Sequence, residues 1–202
     1  MRIVTVSMLV SLFAFGCSSQ TSTPTADAHL STVDTVPNIS KPQDTLSPLP
    51  TGGTCPNTVD YFSATACNTL ENSAPAIPYT ATPGTPPTFS GGTILDGKYH
   101  ASKVEGFGPT PGTGRKVTIV IAQNATKFYW KGDVLNATQN TPFSAVMTAT
   151  TEGNQLTQTK ICSTGGVGFP PMSFTASPTA ITLSIVSGDT TFVTTYSRIG
   201  CP

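Results

Sequence analysis

From Gly92 onward, apolar and polar residues alternate in short runs separated by Gly, Pro and Asn. Side chains of an extended segment point to opposite faces in turn, so a period of two marks a strand with one buried side. Val117, Ile119 and Ile121 share one face, as do Phe128 and Trp130. Phe143, Ala145, Met147 and Ala149 repeat the pattern, and so do Ile181, Leu183 and Ile185. The positions between them are largely Thr, Ser and Lys, which gives each strand one apolar and one solvent side. Eight strands are expected, near 97–106, 115–122, 126–131, 142–150, 154–163, 172–176, 180–186 and 190–198. No helix is expected after residue 75.

Turn chemistry separates these runs. Glu152-Gly153-Asn154, Ser187-Gly188-Asp189 and Ala176-Ser177-Pro178 read as turns, and Asn124-Ala125 as a tight one. Asp133, which follows Gly132, is also placed in a turn. Eight consecutive antiparallel strands leave two edges of unpaired amides unless the sheet closes. The expected fold is therefore all-β, an eight-stranded antiparallel up-and-down barrel in which the last strand, ending TTYSRI, pairs with the first, beginning near Asp96.

Residues 92–199 resemble the small lipocalin-like β-barrel domains of uncharacterised bacterial lipoproteins. The resemblance rests on the opening Gly92, Thr93, Ile94, Asp96, Gly97 and Tyr99, and on the closing Thr195, Tyr196 and Arg198. Lipocalins themselves carry Gly-Xaa-Trp in the first strand; this chain has Gly97-Lys98-Tyr99, and its single tryptophan is Trp130. The resemblance implies a fold and, more loosely, a binding role.

Ahead of the barrel the texture differs. Met1-Arg2 is followed by an apolar run to Phe15, the layout of a signal peptide over 1–16 and too short for a membrane span. Ala14, Phe15 and Gly16 before Cys17 resemble a bacterial lipobox, which implies acylation of Cys17. The competing reading is ordinary cleavage after Gly16, leaving a free thiol. Cysteine parity favours lipidation: five cysteines are awkward in an exported chain, and removing Cys17 leaves Cys55, Cys67, Cys162 and Cys201 to pair. Ser18 after the cysteine points, by the same resemblance, to an outer-membrane or cell-surface lipoprotein of a Gram-negative bacterium. Residues 17–54 are dominated by Ser, Thr and Pro without sustained periodicity, so a disordered stalk is expected. Residues 55–91 form a Cys- and Pro-rich segment before the barrel domain at 92–202.

The chain has a net charge of zero. Residues 55–202 hold eight Lys/Arg against seven Asp/Glu, a net of +1 that argues against nucleic acid as a partner. Lys98, Lys103, Arg115, Lys116, Lys127 and Lys131 cluster on the first three strands and read chiefly as a solvated face. No catalytic set emerges. The barrel has one histidine, His100, on the opposite face from Tyr99, and Asp96 and Glu105 sit roughly 30 Å apart at the ends of one strand. Two histidines and cysteines without paired spacing make no metal site, and no cofactor is expected. The chemistry left is binding. Tyr99, Phe128, Trp130, Phe143 and Met147 are the candidate contacts for a small apolar or amphipathic ligand, with loops 107–114 and 163–171 framing the opening. The alternative is a structural or interaction lipoprotein whose core those side chains fill; an unidentified hydrolase ranks below both. The partners expected are thus a membrane, through the N-terminal lipid, and such a ligand.

Strand parity constrains the disulfides. Cys162 ends the fifth strand and Cys201 follows the eighth, so the two lie at opposite ends of a barrel and cannot meet, since bridged Cα atoms lie within about 7 Å. Cys162 and Cys201 are each expected to bridge a different member of the pair Cys55 and Cys67, with the choice open. If 172–176 were a loop, the parity would reverse and Cys162–Cys201 would become natural.

The lipobox yields one test. The expressed protein should partition into detergent with diacylglycerol mass at Cys17, and Cys17→Ser should be released or remain unprocessed. A water-soluble mature form with an unmodified Cys17 contradicts the assignment.

Overall fold

The alternating runs fold as eight antiparallel strands, with short strands before them. The computed structural model describes Cys55 and residues 59–136 and 140–202. The signal peptide, Cys17 and the stalk expected over 17–54 lie outside the described residues. β1 (Phe62–Ser63), β2 (Cys67–Asn68) and β3 (Tyr79–Ala81) belong to an N-terminal arm. β4 (Gly97–Phe107), β5 (Gly114–Ala122), β6 (Lys127–Leu135), β7 (Asn140–Glu152), β8 (Gln155–Thr164), β9 (Met172–Ala176), β10 (Ala180–Ser187) and β11 (Thr190–Gly200) form the barrel. Among the described residues there is no helix.

Each barrel strand pairs with the next, and β11 pairs with β4 from Phe107 opposite Thr191 to Lys98 opposite Gly200, so the sheet closes as the edge argument requires. Ser102 is the extra residue of a bulge in this seam, and its Oγ donates to the Thr195 carbonyl oxygen at 3.2 Å. β6 runs four residues past its expected end. Asp133 lies inside the strand, not in a turn, because Gly132 is covered rather than flexible: the Phe143 ring packs where a Cβ would stand.

The strands define two ends. The lower end carries the turns after β5, β7 and β9 and the C-terminus; the upper end carries 108–113, the end of β6, 165–171 and 188–189. At the lower turn Gln123, Asn124 and Ala125 all have positive φ, a conformation unfavourable for residues with a Cβ. Asp96 offsets that cost by accepting from the Asn124 and Ala125 amides at 3.0 and 2.8 Å.

The expected split into an apolar inside and a wet outside fails on β5–β8. Val120, Tyr129, Val146 and Cys162 stand opposite one another in a row across four strands on the outer face. The arm covers that row with Cys67, Leu70 and Tyr61. Burial of this second cluster is stapled by Cys67–Cys162, with Cα atoms 5.7 Å apart. Cys55–Cys201, at 5.3 Å, ties the arm to the end of β11. The parity argument therefore holds, and the structure fixes which cysteine takes which. The first of these long loops to close removes roughly 4–5 kcal/mol of chain entropy from the unfolded state.

Two asparagines register the arm. Asn68, fully buried, donates from Nδ2 to the carbonyl oxygens of Trp130 and Ala145, both at 2.9 Å, while its Oδ1 accepts from the Leu70 amide. Asn72 donates to the Lys116 carbonyl oxygen and to Asp133, and accepts from Thr118 Oγ1. Thr118 Oγ1 in turn accepts from the Ser73 and Ala74 amides, both at 3.1 Å. Beyond these pins, Ile77 exchanges two backbone bonds with Arg115, and β3 runs parallel to Val104–Gly106 of β4. β4 and β5 pair only over Gly97–His100 and Thr118–Ile121. The arm thus fills the upper part of the seam between them.

Asn68→Ala should remove the bonds that tie the arm to two carbonyls of the sheet and leave the buried Leu70 amide without its partner, at a cost of about 1–3 kcal/mol. Urea unfolding of the oxidised protein checks this; a loss under about 0.5 kcal/mol would mean that the arm is not registered by this side chain.

Candidate functional site

The inward rows do not fill the barrel evenly along its axis. In the lower half and middle Tyr99, Phe128, Met147, Leu156, Phe174 and Ile181 are all at most 1% exposed and pack as one cluster. Arg198 closes the lower end, donating from Nη2 to the Asp96 carbonyl oxygen at 2.6 Å and to Cys55 Sγ at 3.3 Å. Burial pushes the Tyr99 phenol up to about 12, with Asp96 adding to the effect and Arg198 opposing it; its hydroxyl donates to the Leu95 carbonyl oxygen at 2.7 Å.

The upper half is different, because β9 is only five residues long and pairs with β8 only through Met172 and Ser173. Residues 165–171 cross the space left above it. A cavity of about 100 Å³ lies there between Trp130, Phe143, Met172, Leu183 and Tyr196, under Phe169 and Val167 of that loop. A second, more open space of about 220 Å³ adjoins it beneath Pro111–Thr113. The two share Arg115, Ile185, Phe192 and Thr194. Trp130 is the hub, with ring centroids 5.3 Å from Phe169, 5.8 Å from Tyr196 and 6.3 Å from Phe128. Its indole Nε1 is buried with no hydrogen-bond partner.

Of the five residues expected to contact a ligand, Trp130 and Phe143 line the cavity, while Tyr99, Phe128 and Met147 belong to the packed region below it. The loops expected to frame an opening both lie at the upper end, where each lends residues to a cavity wall. The basic cluster divides. Lys103 pairs with Glu105 at 2.9 Å, and Lys127 with Asp60 at 3.3 Å. Arg115 alone continues the inward row of Val117, Ile119 and Ile121, and it is the one charged residue among those lining the two cavities. Tyr79 was not expected here. Its ring lies against Gly106 and Gly112, where a Cβ on either would overlap it, and 6.3 Å from Phe192, closing the seam beside the mouth.

His100 faces outward, its Nε2 within 3.0 Å of Ser73 Oγ. Burial and then Lys98 hold the imidazole below its ordinary value. Among the described residues no carboxylate hydrogen-bonds the ring, and no group of three His, Cys, Asp or Glu side chains could hold a metal ion.

No protein-family model matches this chain, and neither a curated protein nor a solved structure matches it. Its function must be read from the barrel itself.

Proposed function

We propose that this chain is an exported binding module that holds a small apolar or amphipathic ligand in the upper half of its barrel. The observation behind the reading is the uneven filling: packed side chains below, and above them a cavity with aromatic and aliphatic walls under a loop. An eight-stranded barrel is just wide enough either to fill with side chains or to hold one small ligand, and this chain divides the two along its axis. Apolar walls with a few polar groups are what small-molecule sites present. The export half of the reading is supported by two disulfides, which persist in oxidising compartments. Anchorage at an outer membrane or cell surface through an acylated Cys17, after a lipocalin-like pattern, remains part of the proposal. The packed lower half favours a second reading, a structural or interaction lipoprotein in which the upper space is incidental. A hydrolase is less well supported, since the Ser73–His100 contact lies on the outer face, away from the cavity.

Trp130 is the single tryptophan and lines the cavity, so its fluorescence reports occupancy. Titration of the oxidised full chain with 1-octanol should give a saturable change. Ile185→Trp, which fills the shared wall, should weaken binding tenfold or more, as read by calorimetry. The absence of saturable binding by octanol and other small apolar probes would overturn the reading in favour of the filled structural module.

A further inference from the structure

An arginine at an inward position of a small barrel needs a reason. The period-two row of β5 would be served by an aliphatic residue above Val117. Instead the chain places Arg115 there, with its backbone fixed by paired bonds to Ile77, both 2.8 Å. Its Nε is buried and has no hydrogen-bond partner. Among the described residues no carboxylate lies within ion-pair distance of it, and neither cavity is lined by Asp or Glu. The nearby Tyr196 phenol does not supply the missing charge: burial raises it above its ordinary 10.0 and keeps it neutral, with Arg115 only opposing the rise. A guanidinium is a planar fork of donors matched to a carboxylate or other oxyanion. Leaving a buried donor unmade is costly and uncommon.

The position along the axis completes the picture. Arg115 stands opposite Val134, Val117 opposite Gly132 and Ile119 opposite Trp130. Arg115 is therefore four residues, roughly 13 Å of strand, above the level of Trp130. Between them the walls are mostly apolar, with Phe143 and Leu183 facing the space and Thr194, the Tyr196 phenol and the Trp130 indole N–H as the polar groups. A cation at the mouth and an apolar shaft beneath it have the polarity of one ligand class.

We infer that the cavity takes a short amphipathic anion, its oxyanion head on the Arg115 guanidinium at the mouth and its apolar tail running down toward Trp130. This rests on the binding-module reading and specifies its ligand. A carboxylate and a sulfate or phosphate monoester share the required head, and a short acyl chain suits the limited space.

The probes are sodium octanoate, octyl sulfate, 1-octanol and octylamine, titrated at pH 7 into the oxidised full chain and read by Trp130 fluorescence and calorimetry. Octanoate should bind about tenfold to a hundredfold more tightly than octanol, the difference expected of a charge-assisted contact, and octylamine more weakly than either. Octyl sulfate separates the head groups: binding as tight as octanoate's means any oxyanion serves, weaker binding means a carboxylate site, and both agree with the inference. Arg115→Met should abolish the preference for octanoate while octanol still binds; Arg115→Lys, which keeps the charge, should retain most of it. Equal binding of octanoate and octanol by the unaltered chain overturns the anion assignment and leaves the binding module standing. Failure of all four probes overturns both. The head-group series needs no variant, so misfolding of Arg115→Met does not remove the test.

Discussion

The upper edge of β4 is the constraint around which this molecule is arranged. β11 covers one edge of β4 along its whole length, but β5 covers the other only as far as His100. Beyond that point β5 diverges, and a closed barrel would open along a seam of unpaired amides and carbonyls. Such an edge invites pairing with another chain. The protein fills the seam from its own sequence: Ile77 bonds to Arg115 on one side, and Tyr79–Ala81 and Thr82 bond to Val104–Gly106 on the other. The wedge works only if the arm arrives in register. Asn68, Asn72 and two disulfides fix that register on the outer wall, while Tyr79, lying against two glycines, seals the inner side.

The same arrangement explains why the cavity is in the upper half. Where neighbouring strands pair fully, inward side chains meet across the axis and fill the barrel. Two seams open toward the upper end, β4–β5 and β8–β9, and the space there is bounded by loops and by the arm instead of strands. The lower end is the reverse: Arg198 bridges to Asp96, Asp96 caps a turn of three residues at positive φ, and Cys55–Cys201 ties down the terminus. One end is built for rigidity, and the other has room.

Much of this was legible in the sequence. Short β-branched and aromatic runs between turn residues mark all eight barrel strands, and on four of them a period of two shows which side faces inward. Closure follows from the edge problem, and strand parity excludes Cys162–Cys201. The arm was less legible: residues 59–82 lack sustained periodicity, and their order comes from asparagine bonds to distant carbonyls that no local pattern encodes. Traces were present, since Val120, Tyr129 and Val146 are apolar at outward positions and imply a cover. Asp133 was misplaced because Gly132 reads as a break until the ring of Phe143, on the next strand, is seen to lie over it. At the site, Trp130 and Phe143 were identifiable as inward aromatics, but which inward residues face a void depends on where β9 ends. Arg115 was grouped with surface lysines, although its spacing from Val117, Ile119 and Ile121 already placed it inside.

The central claim is that the arm completes the barrel wall. Amide hydrogen exchange at Arg115 tests it most directly, because that N–H donates to the Ile77 carbonyl oxygen and to no barrel strand. In the oxidised protein the Arg115 amide should exchange as slowly as those of Ile119 and Ile121 in the fully paired part of β5. Exchange at the rate of an exposed loop, with Ile119 and Ile121 still protected, would mean that the seam stands open and that the arm forms no part of the wall.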